Sequence, residues 1–438
     1  MKKKIIAVVL AVLIAQYVYA SDPAFYNSTP MPAKFRQAEA SLPADFFSDY
    51  LWEQGERYLY VDRMFQTLFF QKRRAKNILP DGSVQDSPFF TNRIGVKPIA
   101  DETITKGNIS NGGPEMNGQW TILKAKQDGV SAGFFIKDAR GDKYLIKLDL
   151  LAYPELNSSS EVISARLFHA LGYNVPEYTV VRFPLSKLEI SDGSMWYDKT
   201  GFKVPFDQKA LNDLVRNSFI DRNGMYRACA SKFVEGKIIG TMSLRSHRRN
   251  DPRDQIPHED RRELRGLKVF CSWLNHFDLR TGNTLDTVIE SEKGWYVKHY
   301  LLDFGMTLGA HILGPKPPET GHEYVFSIDE FLKSFVTLGF YRRPWRRLEP
   351  VRPQTGYYTN LDFDPAQWTP HIPNYAFQNM DKVDALWAAQ ILAKVTDDNI
   401  RAAVSAGEIT NEPAREDLIK KMIERRDMIT THWLSSKR

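Results

Sequence analysis

Apolar residues recur along this chain at two different periods, and the change between them divides it. From Asp45 to Gln71, Phe47, Tyr50, Leu51, Tyr58, Phe65 and Leu68 fall at helical spacing and predict one or two helices. Residues 77–118 lose that period and fill with turn signals such as ILPDGS and ISNGGPEMNGQ, reading as a surface excursion or a linker. From Trp120 the alternation becomes twofold. WTILKAK, GFFIKDA and KYLIKLDLL are short β-type runs separated by QDGVSA and RGD, which predicts a sheet with tight turns. Helical spacing returns over residues 158–172, with a Ser N-cap and Gly172 as the stop. The strand YTVVRF, a variable middle with a helix at Gln208–Asn217, and a strand pair in ACASKFVEGKIIG follow. His258–Asn275 is a long amphipathic helix. Beyond residue 323 the text is mainly helical, at Ser327–Leu338, Lys382–Val395, Asp398–Ala406 and Glu412–Trp433. No internal repeat interrupts this order, so the pattern predicts an α+β protein with a strand-rich part before a helix-rich part.

Composition changes that picture only at the N-terminus. The 438 residues are 42% hydrophobic and 26% charged, which suits a folded chain long enough for two lobes. Lys2, Lys3 and Lys4 precede the apolar run Ile5–Ala15, and Val18-Tyr19-Ala20 places small residues where signal peptidase cleaves. The expectation is a secretory signal removed after Ala20 and an exported, periplasmic or secreted protein; an uncleaved anchor is the alternative. No later stretch approaches the ~20 apolar residues of a spanning helix. The net charge of +6 owes three lysines to that signal, leaving 56 basic and 53 acidic residues, so charge gives no reason to expect a nucleic-acid partner. Two cysteines, Cys229 and Cys271, exclude a disulfide framework. They could pair after export, but Cys271 sits in an apolar helical pattern and reads better as a buried thiol.

The candidate chemistry gathers around NHFDLRTGN, residues 275–283. The following TLDTVIE-SEKG-WYVKHYLLDFG reads as a hairpin turning at Ser291–Gly294, with Asn283 and Asp303 each about ten residues from the turn. Strands paired in register would bring both to the open end, beside Asp278. An amide oxygen and a carboxylate suit a hard cation such as Mg²⁺ that also takes phosphate oxygens. Taken singly, Asp303 could merely cap a turn and Asn283 end a loop. Upstream, Lys147 lies mid-strand in KYLIKLD, on the face opposite Ile146 and Leu148, and needs a partner if buried. Glu161, in the first turn of the next helix, could supply it; a solvated lysine and a helix-terminal acid favoured by the dipole are the plainer reading. Gly129 and Gly133, in QDGVSAGFF, form a small-residue turn of the kind that brings backbone N–H groups near phosphates.

A strand–turn–strand, a strand Lys, a helix Glu, then D-x-x-x-x-N (Asp278 to Asn283) and a hairpin into Leu302-Asp303-Phe304-Gly305 resembles the order of parts in protein-kinase-like phosphotransferases. The text looks closest to the atypical branch, the phosphatidylinositol 3-/4-kinase-like and HipA-like kinases, in an exported bacterial form. The resemblance spans residues 118–310, with helical material to about 435. It implies a bilobal α+β fold. Its parts would be the signal (1–20), an N-terminal helical extension and linker (21–117), a strand-rich N-lobe (118–240) and a helical C-lobe (241–438). It further implies ATP and Mg²⁺ as cofactors. Lys147, positioned by Glu161, would hold the α/β-phosphates under the Gly129–Gly133 turn. Asn283 and Asp303 would hold the metal, and Asp278 would orient or deprotonate an acceptor hydroxyl on an unidentified protein or small molecule. Two features depart from the family pattern: Asn275-His276-Phe277-Asp278 replaces His-Arg-Asp, and Arg280 stands two residues after Asp278. A kinase-like module without catalysis, or nucleotidyl transfer from the same site, are the alternatives.

Two basic runs remain. RRPWRR at Arg342–Arg347 could meet an acidic partner or be a solvated loop, and Ser243–Gln255 would lie near the cleft mouth on such a fold. The histidines show no zinc-ligand spacing, and no G-x-S-x-G nucleophile signature occurs. His276 would contact Asp278 or its loop, and His299 would be core.

Overall fold

A computed structural model describes residues 26–37, 74–126, 132–197, 202–324, 333, 335–338, 340, 345 and 349–435. The expected signal, the helices expected at Asp45–Gln71, Gly129, the four arginines of RRPWRR and most of Ser327–Leu338 lie outside those residues. Among the described residues, two short helices, α1 (Ala33–Gln37) and α2 (Asp101–Lys106), precede the first sheet.

That sheet begins where the twofold alternation begins. Strands β1 (Trp120–Ala125), β2 (Gly133–Lys137) and β3 (Lys143–Leu148) pair antiparallel in sequence. Helix α3 (Leu156–Leu171) leads to β4 (Tyr178–Phe183), the short β5 (Leu188–Ile190) and a small β6 (Met195–Tyr197)–β7 (Lys203–Pro205) hairpin. After α4 (Gln208–Val215), β8 (Tyr226–Lys232) inserts between β3 and β4, giving the order β4-β8-β3-β2-β1-β5. On one face Trp120, Ile122, Phe134, Ile136, Tyr144 and Ile146 are buried with Leu211 and Val215 of α4, a core of its own. Each such residue contributes roughly 1.5–3 kcal/mol of transfer free energy. The other face carries Lys147 and Cys229, which are register partners.

The expected strand pair in ACASKFVEGKIIG is not formed. β8 closes the first sheet, whereas β9 (Lys237–Gly240) joins β10 (Thr284–Ser291) and β11 (Gly294–Leu301) in a second sheet ordered β11-β10-β9. Residues 233–236 therefore bridge two sheets instead of turning back. Gly236 ends the bridge at φ +85°, where a Cβ would come 2.5 Å from the Val288 carbonyl. Beyond β9, α5 (Arg262–Leu274), the two-residue strands β12 (Ala310–His311) and β13 (Gly314–Pro315), and helices α6 (Tyr375–Asn379), α7 (Lys382–Leu392), α8 (Asp397–Ala406) and α9 (Glu412–Ser435) build the helical part. The result is an α+β molecule with two lobes, each holding its own core. No described helix is long and apolar enough to cross a membrane.

Helix α3 belongs to the larger core and is buried on nearly every side. It starts two residues earlier than its sequence signals, and no Ser side chain caps it. Instead the buried Asp149, just after β3, accepts from the Ser158 amide (2.9 Å) and hydroxyl (2.6 Å). Glu161 consequently sits in the second turn, not the first. Residues 84–104 also differ from expectation. They are a strap pressed into the core: Phe89, Phe90, Ile94 and Ile104 are buried, and Thr91 and Ile94 donate to the carbonyls of Gly172 and Ala170. Turn chemistry gave the strap its irregular backbone, while four apolar side chains at uneven spacing gave it its anchor.

Candidate active site

One face of α3 assembles the site. Asn157, Glu161, Ser164 and Phe168 recur at spacings of four, three and four, so they stack along a single side of the helix. All four meet the segment that follows β11. Asn157 Nδ2 donates to the Gly305 carbonyl (2.9 Å), and Glu161 Oε2 accepts from the Phe304 amide (3.0 Å). Ser164 and Thr307 share a hydroxyl contact of 2.6 Å, and the Phe168 and Phe304 rings stack at 5.2 Å. Leu302-Asp303-Phe304-Gly305 is thus held against α3 along four turns.

Lys147 closes the arrangement from the sheet. Its Nζ lies 2.5 Å from Glu161 Oε1 and 2.8 Å from Asp303 Oδ1. Glu161 is 1% exposed, Lys147 14% and Asp303 49%, so the triad runs from the interior to an open edge. Burial alone would lower the Lys147 pKa, but Asp303 and Glu161 lift it well above the usual lysine value. Burial raises Glu161, with Lys147 opposing. For Asp303 burial would also raise the pKa, yet Lys147 first, then Lys126 and Arg280, hold it down to about 2. The exposed end of the triad is therefore an ionised carboxylate among three cations. Asp303 itself sits at φ +57°, in the left-handed region, and donates its amide to Tyr178 Oη at 3.2 Å. Holding a non-glycine residue there costs on the order of 1 kcal/mol or more, which the α3 contacts offset.

The hairpin forms in the expected register, with Thr284 opposite Leu301 and Ser291 opposite Gly294. At its open end Leu302 donates to the Asn283 carbonyl at 2.9 Å, so Asn283 and Asp303 are one residue out of step across the ladder. Asn283 is buried and donates from Nδ2 to the Asp278 carboxylate (2.8 Å) and carbonyl (2.7 Å). Arg280 Nε stands 3.5 Å from the other Asp278 oxygen. Among the described residues no group of three or more His, Cys, Asp or Glu could hold a metal. What the site offers a cation is one ionised carboxylate, one amide and a neighbouring Asp, a sparse oxygen set that suits Mg²⁺ only when phosphate oxygens complete it.

Several expectations shift. Gly133 lies inside β2 opposite Lys147, and a Cβ there would come 2.4 Å from the Ile146 carbonyl, so close strand approach already requires glycine. His276 contacts neither Asp278 nor the loop by hydrogen bond. Its ring is fully buried between Phe168 and Phe304 with both nitrogens unpartnered, and burial drops its pKa to about 4. His299 is core, stacked on Phe89 at 3.7 Å and 2.6 Å from Asp286. Within the basic run Ser243–Gln255, Arg248 binds Asp286 and the Thr241 carbonyl and Arg245 covers the Tyr375 ring, while His247, Arg249 and Arg253 are exposed. Cys229 and Cys271 are both buried and free, as expected. Sequence reasoning missed Tyr178, Asn157 and Ser164. The spacing of the last two with Glu161 was visible, but only the position of Phe304 gives that face a meaning.

No protein-family model matches the chain, and no curated protein matches it. Among solved structures it is similar to the Helicobacter pylori proinflammatory kinase CtkA, at 13% identity and a TM-score of 0.35, over 70% of this chain and 95% of that one. It is also similar to the Golgi casein kinase, at 11% identity and a TM-score of 0.37, over 93% and 95%. The Golgi casein kinase with Mn/ADP bound gives 11% identity and a TM-score of 0.30, over 92% and 96%.

Proposed function

We propose that the protein is an atypical kinase-like phosphotransferase that binds ATP and Mg²⁺ between its lobes and transfers a phosphoryl group to a hydroxyl acceptor. The observation that carries this reading is the Glu161–Lys147–Asp303 chain ending at the mouth of the Asn283–Asp303 hairpin. Lys147, Lys126 and Arg280 surround one ionised carboxylate, an arrangement that suits a polyanion delivered with a divalent cation. Lys147 would hold the α/β-phosphates while Glu161 fixes its ammonium. Asp303 and Asn283 would hold Mg²⁺, which when bound would neutralise phosphate charge. Asp278 would accept the acceptor's proton as the new O–P bond forms and the bond to the leaving diphosphate breaks. The order of these parts favours the phosphatidylinositol 3-/4-kinase-like and HipA-like branch, and the signal-like N-terminus favours an extracytoplasmic setting.

A second reading has its own support. Both Asp278 oxygens are engaged, one by Asn283 and one by Arg280, which favours a nucleotide-binding module without transfer. One experiment separates these readings. Mg·ATP should raise the melting temperature of the wild type, and Asp303→Ala should abolish that rise. Label from γ-³²P-ATP appearing in product identifies a kinase, label from α-³²P-ATP a nucleotidyl transferase, and binding without either a binding module. No Asp303-dependent stabilisation by Mg·ATP would sink all three. N-terminal sequencing of the exported protein tests cleavage after Ala20.

A further inference from the structure

A second polar cavity lies in the helical lobe, behind the loop that carries Asp278. Its volume is about 350 Å³, within the range of small-ligand sites. Asn275, the left-handed C-cap of α5, forms part of its floor, three residues before Asp278. Lys316, fixed between two prolines just after β13, enters from the side, and Arg425 comes up from α9.

Among the described residues, neither buried cation of this cavity is bonded to a carboxylate. Lys316 is 5% exposed, and among the described residues its ammonium has neither a hydrogen bond nor an ion pair. Arg425 is 3% exposed, and among the described residues its hydrogen bonds and ring contacts are to neutral groups: Asn360 Oδ1 at 3.0 Å, the carbonyls of Ser272 and Thr359, and the rings of Tyr358 and Phe363 at 4.3 and 4.2 Å; the Glu349 carboxylate acts on its charge without bonding to it. Among the described residues, two further donors are buried and unpaired, Asn275 Nδ2 and Thr320 Oγ1. Asp362 and Asp364 line the cavity without bonding to either cation; Asp364 accepts from the Ala366 amide and Gln367 Nε2, both at 2.8 Å. Burial and the Arg425 charge push the Lys316 pKa well below its usual value.

Water could satisfy the amide and the hydroxyl, but it does not neutralise two buried cations. An anion does both at once. A lone phosphate would leave much of the volume unfilled, and the remaining wall is of a different kind: Phe363 and Trp368 offer aromatic surface beside Asp362 and Asp364, which accept hydrogen bonds. Rings plus carboxylates suit a polyhydroxylated body. We propose that this cavity binds the phosphate group of a small sugar- or polyol-phosphate, with Lys316, Arg425, Asn275 and Thr320 on the phosphate. The site is separate from the Lys147–Asp303 cleft, and the inference does not rest on nucleotide use there. Because Asn275 caps α5 and Lys316 follows the Asp303 segment by thirteen residues, an occupant would tie both catalytic-loop and post-Asp303 backbone to α9.

The test uses the full-length protein and calorimetric titration at fixed ionic strength, with inorganic phosphate, glucose 6-phosphate and glucose as probes. Phosphate and glucose 6-phosphate should each bind saturably below about 10 mM, the ester more tightly, and glucose not at all. Lys316→Met should weaken both by at least about thirtyfold. Lys316→Gln serves as a second variant should the methionine not fold, and Thr320→Val should weaken binding less. The proposal is overturned by no saturable phosphate binding to the wild type, by equal binding to Lys316→Met or Lys316→Gln, or by glucose binding as well as its phosphate. Failure of Mg·ATP to bind would leave this result intact, so the two readings fail separately.

Discussion

Lys147 and Lys316 are both largely buried, and their surroundings are opposite. Lys147 has two carboxylates within 2.8 Å, and its ammonium is held charged. Lys316 has no carboxylate bonded to it and an arginine nearby, and its ammonium is driven toward neutrality. The first is a completed electrostatic unit that positions its exposed acid, Asp303. The second is half of a unit whose missing half is an anion. A buried cation therefore marks a site for different reasons in the two places: in one by what its partners leave exposed, in the other by the partner it lacks.

The largest expected effect breaks the completed unit at its outer end. Asp303→Ala should lower phosphoryl transfer by at least about a thousandfold, read from initial rates with γ-³²P-ATP, while the protein still folds because that side chain is half-exposed. Lys147→Met should cost nearly as much activity and also about 3–5 kcal/mol of stability, since Glu161 would stay buried without its cation. Denaturant melts check this, and Glu161→Gln in the same background should recover part of the loss. Lys316→Met should do the reverse in ligand-free protein. Removing an uncompensated charge should leave stability unchanged or raise it by about 1 kcal/mol.

The smallest effect is the subtlest test of the contrast. The pKa of Lys147 is raised on folding, so its contribution is fully present below the unfolded value of about 10.5 and is lost as pH climbs through the raised folded value. The pKa of Lys316 is lowered, so the unfolded chain binds its proton more tightly, and stability rises as pH climbs from that lowered value toward about 10.5. Stability measured along the alkaline limb should thus flatten in Lys316→Met, and equal slopes in wild type and variant would contradict the assigned environment. At the acid end, the stability Asp303 contributes should fade as pH drops below about 3.8 toward about 2.

The cleft was largely legible in the sequence and the cavity was not, for a physical reason. Lys147, Glu161, Asn283 and Asp303 lie on regular elements whose periods fix where side chains go: alternation placed Lys147 opposite Ile146, and hairpin register brought Asn283 to Leu302. Lys316, Thr320, Asn275 and Arg425 come from a loop, a helix cap and a distant helix, and no local period relates residue 316 to residue 425. The strand pair that was misread shows the same limit. ACASKFVEGKIIG alternates well on both sides of Gly236, and nothing local says that its halves join different sheets.

The strap over residues 84–104 carries a consequence for the order in which the molecule can be completed. Its docking partners come later in the chain: the Gly172 carbonyl for Thr91, the Asn399 amide for Asp101 at 2.7 Å, and Lys394 for the Gly95 carbonyl. A chain delivered N-terminus first can therefore complete the strap's contacts only after α8 has emerged, and Phe89 and Phe90 wait for His299 and Trp387. The strap would act as the closing latch of biogenesis, and until then its aromatic side chains offer a ready handle for a holdase chaperone. Pulse-labelling hydrogen exchange during refolding should find the strap amides protected last, and early protection there would refute this order.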